Sequence, residues 1–223
     1  MKNLILISVC FFFLNQATAQ ENISMNSVPA AKKRVVSFSF FAPMNHHVSF
    51  NYEQVLAPQA SVTGSIGIIG PGLTDNYRQS TGMILKVGTR LYTSPDWMTD
   101  GMHRYNNLQG NYFEPQFIFS EFNSRDTYSI YDYLNGTSTS FEQILHTNAW
   151  ALMLNFGHQK VFANVVTLDT YCGIGYGGHA VNQVSGITSY DYSTEGNHYS
   201  HVGGLNEFPI AFNCGLNIGI LIK

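Results

Sequence analysis

Residues 208–220 alternate strictly in character, and this constrains the chain more than any other feature. Phe208, Ile210, Phe212, Cys214, Leu216, Ile218 and Ile220 form one set, and Pro209, Ala211, Asn213, Gly215, Asn217 and Gly219 the other. A strand sends successive side chains to opposite faces and so separates the two sets, whereas a helix would mix them all round. The same split recurs upstream. Val36, Phe38 and Phe40 oppose Ser37 and Ser39, and Val48, Phe50 and Tyr52 oppose Ser49, Asn51 and Glu53. Val62, Ile66 and Ile68 oppose Ser61, Thr63 and Ser65. Met83, Leu85, Val87 and Leu91 oppose Lys86, Gly88 and Arg90. Phe113, Phe117 and Phe119 oppose Glu114, Gln116 and Ser120, and Trp150, Leu152, Leu154 and Phe156 oppose Ala149, Ala151 and Asn155. Leu168, Cys172 and Ile174 oppose Asp169, Gly173 and Gly175. Eight segments of this kind predict an all-β chain.

Turn formers separate the segments. Short connections are expected at Pro43–His46 and at Ala57-Pro58-Gln59-Ala60, and a tight turn at Gly157-His158-Gln159-Lys160. Longer links are expected at Gly70–Ser80, Ser94–Gly110, Asn123–Thr147 and Gly177–Asn206, with a short helix near Ser140–Leu145.

An alternating sheet turns its apolar face either inward, as in a soluble barrel, or outward to lipid. Only 11% of the residues are charged, against about 25% in an average soluble domain, which is thin cover for a water-facing barrel. The polar face is also small (Ser, Gly, Ala, Asn, Thr), which suits the narrow interior of eight strands. Aromatic residues stand near strand ends at Tyr52, Tyr92, Trp97, Tyr112, Trp150, Tyr171 and Tyr176, as expected of rings at two membrane interfaces. The expected fold is an eight-stranded antiparallel up-and-down transmembrane β-barrel, which leaves no backbone edge unpaired in lipid. On that topology the loops at Pro43–His46, Gly70–Ser80, 123–147 and 177–206 are external. Nucleic acid is not an expected partner, since 11 Lys and Arg stand against 14 Asp and Glu with no basic stripe.

The N-terminus reads as an address. Lys2, the apolar run Leu4–Leu14 and Ala17-Thr18-Ala19 predict a Sec-type signal peptide over 1–20. Cys10 lies within the apolar run after Val9, which argues against a lipoprotein. A flexible leader over 21–33 and one barrel domain over 34–223 follow. The expected location is the outer membrane, with its lipid and its assembly machinery as partners. Two cysteines remain in that domain, Cys172 and Cys214, on the apolar faces of neighbouring strands. A matching register would allow a disulfide between them; lipid-facing free thiols are the other reading.

Several short segments carry a resemblance: Asn51-Tyr52-Glu53-Gln54, Lys86-Val87-Gly88-Thr89-Arg90-Leu91-Tyr92, Gly110-Asn111-Tyr112-Phe113-Glu114-Pro115, Phe156-Gly157-His158-Gln159-Lys160 and 168–176. Together they resemble uncharacterised small outer-membrane β-barrel proteins of the Bacteroidota. The resemblance implies an eight-stranded barrel and brings no activity or catalytic residues with it. Such barrels often end on an aromatic residue that the assembly machinery reads, whereas this chain ends Ile220-Leu221-Ile222-Lys223.

Glu53, Lys86, Arg90, Glu114 and Asp169 all fall on polar faces. They are expected to form a lumenal network of ion pairs, since buried charges must be paired; a proton or ion path is the sharper alternative. His47-Val48-Ser49 sets a base and a hydroxyl on one strand side, the pairing that an outer-membrane lipid hydrolase or acyltransferase would need. Six histidines, His46, His47, His146, His179, His198 and His201, cluster in or near external loops, yet no ligand frame accompanies them. The run 173–178 is Gly-rich but opens no helix, so it is no nucleotide loop. Tyr128, Tyr131, Tyr133, Tyr190 and Tyr192 concentrate in the two large loops, where Tyr with Ser and Asn makes adaptable binding surfaces. No catalytic set, metal or cofactor is assigned. The expected role is non-enzymatic, either structural or binding through external loops. The alternatives are the lipid-modifying enzyme and a soluble lipocalin-like barrel, the latter with Phe38, Leu85 and Leu152 inside.

Overall fold

The computed structural model describes residues 32–70, 78–93, 107–132, 137–185, 199, 201–203 and 209–222. The expected signal peptide lies outside them, as does the leader except for Lys32 and Lys33. The strands are β1 (Arg34–Ser39), β2 (His47–Ala57), β3 (Ala60–Ile69), β4 (Arg78–Tyr92), β5 (Gly110–Asp132), β6 (Thr137–Phe162), β7 (Val166–Ser185), β8 (Val202–Gly203) and β9 (Ile210–Ile222). Every pairing is antiparallel between neighbours, and β1 pairs with β9 to close the sheet. Eight strands therefore form a closed up-and-down barrel, and the two-residue β8 adds to the edge of β9. It does so where β1 is too short to reach, and His201 O continues the contact by accepting from the Phe212 amide at 2.9 Å.

The stagger of the barrel can be read from its registers. From Val36 the pairs run through Tyr52, Gly64, Val87, Phe117, Leu152 and Tyr176 to Ile210 of β9. Val36 itself, however, pairs with Ile220 across the closing seam, ten residues further on. A stagger of ten over eight strands, at about 3.3 Å per residue and about 4.7 Å between strands, gives a tilt of about 41° and a backbone radius of about 8 Å. Side chains fill a cylinder that narrow.

The apolar sets face outward on every strand of the barrel. Leu85 and Leu152, at 38% and 57% exposure, lie on the outer surface with Phe50, Ile66, Phe117, Ile174 and Phe212. The lipocalin-like arrangement, with Leu85 and Leu152 inside, is therefore not the one formed. The inner face is layered. Ile69, Ile84, Ile118, Phe122, Met153 and Tyr199 form an apolar cluster towards one end, and Val35, Leu108 and Leu221 form a smaller one at the other. Ser, Thr, Asn, Gln and charged residues occupy the span between them.

Three expected connections are strands instead. Gly157-His158-Gln159-Lys160 lies inside β6, paired to Asn111 and Tyr112 on one side and to Thr170 and Tyr171 on the other. Gly157 is there for space: a Cβ on it would run into the Tyr112 phenol, so the residue that looked like a turn former makes room for a ring. The actual turn is Ala163-Asn164-Val165, and Ala163 and Asn164 adopt positive φ. Most of 123–147 is a paired hairpin, with β5 running to Asp132 and β6 starting at Thr137, and the helix expected at Ser140–Leu145 is part of β6. Asn, Ser and Thr read as loop residues, but the unbroken cross-strand ladder from the barrel wall carries them as strand. β7 likewise extends to Ser185.

Candidate functional site

The barrel interior brings four of the five expected network residues into direct contact around Arg90. Its Nη1 donates to Glu53 Oε2 at 3.0 Å, its Nε to Glu114 Oε2 at 3.1 Å and its Nη2 to Asp169 Oδ2 at 2.8 Å. All four side chains are buried. The sequence places them together in a simple way: each stands at an inward position of its own strand, on β2, β4, β5 and β7, and the stagger brings these positions to one level.

Neutral donors complete the cluster. Ser61 Oγ and Tyr92 Oη donate to Glu53 Oε1, and Gln159 Nε2 donates to Glu53 Oε2 at 3.2 Å. Thr63 Oγ1 and Gln116 Nε2 donate to Glu114 Oε1. Tyr112 Oη donates to Asp169 Oδ1 at 2.6 Å, and Asn217 Nδ2 to Asp169 Oδ2 at 2.9 Å. Arg90 Nη1 also donates to Gln159 Oε1, and the guanidinium carbon lies 4.3 Å from the Tyr112 ring centre. Every carboxylate oxygen thus has a donor, which is what keeps buried charge tolerable. Gln159 Nε2 extends the network to Leu108 O at 2.9 Å, tying Leu108 into the barrel end.

Lys86, the fifth expected residue, stands two inward positions from Arg90 on β4 and makes no salt bridge with the cluster among the described residues. It lines a polar cavity of about 30 Å³ with Asn51, Ser65, Glu114, Gln116 and Tyr171, room for about two water molecules.

Sequence reasoning assigned Tyr92, Tyr112 and Tyr171 to the membrane interfaces, and the structure corrects this. Tyr92 and Tyr112 are buried in the interior and Tyr171 lines the cavity. Tyr52, Trp150 and Tyr176 do face outward, while Trp97 lies outside the described residues. The sequence carries the signal, since Tyr92 shares its face with Arg90, Tyr112 with Glu114 and Tyr171 with Asp169, and strand parity outranks nearness to a strand end. Gln159 joins the cluster although its Gly-His-Gln-Lys context carries the composition of a turn.

The remaining candidates separate. Ser49 Oγ lies 3.0 Å from Ser65 Oγ, while His47 Nδ1 approaches Asn45 O at 3.2 Å and its ring meets Tyr199. His146 contacts Asn123 on the outer face of the β5–β6 hairpin, His179 is on β7, and His198 lies outside the described residues. Among the described residues no group of three or more His, Cys, Asp or Glu could hold a metal ion. Tyr128 and Tyr131 fall within β5; Tyr133, Tyr190 and Tyr192 lie outside the described residues. Tyr199, from the loop expected to be external, is buried against Phe122 with ring centres 5.3 Å apart, and so helps to close that end of the barrel.

The arrangement is an electrostatic brace. One guanidinium spans three carboxylates from three other strands. Replacing Tyr112 by Phe should cost about 1–2 kcal/mol, because Asp169 Oδ1 loses the donor of a charge-assisted bond. Denaturant titration of the folded barrel in micelles measures this, and an unchanged midpoint would count against the brace. No family model matches this chain, and no curated protein matches it either.

Proposed function

We propose that this chain is a small outer-membrane β-barrel, exported by the segment 1–20, that is non-enzymatic and acts structurally or by binding at its external loops. The observation that carries the reading is an apolar outer belt that runs round the barrel and is bounded on β5 and β6 by polar residues at both ends. On β5 the outward residues between Asn111 and Glu121 are Phe113, Pro115, Phe117 and Phe119, and on β6 those between Asn148 and His158 are Trp150, Leu152, Leu154 and Phe156. The limits coincide in register, Asn111 with His158 and Glu121 with Asn148. Ten residues at about 3.3 Å, tilted by about 41°, span about 25 Å, the height of the apolar band of transmembrane barrels. Above the belt Arg125 pairs with Glu142 at 2.8 Å on the outer face, and below it Asn111 contacts His158 at 2.9 Å. In water such a belt would greatly exceed the few hundred Å² of contiguous apolar surface that monomers expose.

The closed barrel supports a brace and a platform rather than a diffusion channel. The platform is the hairpin over 123–147 and the loop within 177–206, which are the surfaces offered to an external ligand. Kinship with the small Bacteroidota barrels belongs to the same proposal. Membrane fractionation with a heat-modifiability gel tests it. The protein should stay with the outer membrane and shift its mobility only after boiling. Recovery as soluble periplasmic material would overturn the reading.

A further inference from the structure

We infer that Cys172 and Cys214 are a modification site, a dithiol pair built to close into a cross-strand disulfide between β7 and β9. The two residues are direct partners in the register, and both are exposed on the outer surface with free thiols. The phase of the ladder can be read from its ends. Gly177 N donates to Pro209 O, and Leu221 N donates to Val165 O. These opposed residues are hydrogen-bonded pairs, and hydrogen-bonded and non-hydrogen-bonded pairs alternate along an antiparallel ladder. Cys172 and Cys214 therefore form a non-hydrogen-bonded pair, the kind with the closer Cα atoms. Such pairs stand at about 4.5 Å, inside the range that a disulfide spans.

The position gives the bond a purpose. The backbone N–H and C=O of Cys214 face away from β7, towards the closing seam. On that edge β1 pairs with β9 only from Asn217 to Ile222, with one further bond from Phe40 N to Leu216 O. β8 and His201 cover Ile210 to Phe212. Among the described residues no strand pairs with Cys214 on the seam side. Among the described residues β9 is thus held only by β7 at this point, and a disulfide to β7 would staple it there.

The chemistry needs an oxidant, here a small or protein-borne disulfide. The thiolate of one cysteine attacks a sulfur of that disulfide and releases one of its thiols. The second cysteine then attacks the mixed disulfide and releases the other. Two protein thiols and one external disulfide become one cross-strand disulfide and two external thiols. The inference rests on register and seam alone, so it holds whether or not the outer belt meets lipid.

The full chain, folded in detergent micelles and verified by its mobility before boiling, is incubated with glutathione disulfide, alkylated and mapped by peptide mass. The expected product is a linked pair of peptides carrying Cys172 and Cys214, lighter by two hydrogen atoms than the separate thiols and restored by reductant. Its rate should not depend on protein concentration once the mixed disulfide has formed. C172S and C214S should each leave one thiol that stops at a glutathione adduct. Stable glutathione adducts on both cysteines of the unaltered chain, disulfide-linked dimers or two unreacted thiols would each overturn the inference.

Discussion

Replacing Arg90 by alanine should destabilise the barrel by about 3–5 kcal/mol, the range for removing one partner of a buried ion pair. The effect belongs at the top of that range, because one guanidinium serves Glu53, Glu114 and Asp169 together. Without it, three carboxylates remain within one enclosed cluster with only neutral donors. Unfolding by denaturant in micelles or vesicles, followed by mobility before boiling, measures the loss. The double variant Arg90→Ala/Glu114→Gln should lose less than the two single changes added together, because one uncompensated charge has been removed, and residues sharing one network are non-additive. An Arg90→Ala protein within about 0.5 kcal/mol of the parent, the scale of an ordinary surface change, would mean that the cluster does not brace the fold.

The second large effect concerns the outer surface. Leu152→Arg sits midway up the apolar belt on β6, where Leu152 is exposed. If the belt meets hydrocarbon, the substitution should cost about 2–4 kcal/mol, and His158→Arg at the lower rim only about 0–1, since the cost of a cation falls away towards the interfaces. In a water-facing barrel both changes would be nearly neutral. The ratio of the two costs in lipid vesicles is therefore the informative quantity. Equal and small values would refute the membrane reading even if the protein folded normally.

Parity along each strand carried most of what was legible beforehand. It assigned the inner and outer sets of all eight strands, and it put Glu53, Arg90, Glu114 and Asp169 on inward faces, because the side-chain period of a strand is a local property of the backbone. Parity also places Tyr92, Tyr112 and Tyr171 inward, against the weaker tendency of aromatic residues near strand ends to sit at an interface. Composition misled at 123–147 and at Gly157–Lys160. Polar residues and glycine are ambiguous where a long ladder supplies their backbone partners, or where a neighbouring ring needs the space that a Cβ would take.

By itself the sequence determined the alternation, and with it the fold class, the strand count of the barrel and the chemistry of its two faces. Tertiary structure alone decided which level of one strand meets which level of the next. The ten-residue stagger, the convergence of three carboxylates on one arginine, the opposition of Cys172 to Cys214 and the inward turn of Tyr199 all depend on register and closure. Those are properties of pairs of strands distant in the chain, and no local pattern encodes them.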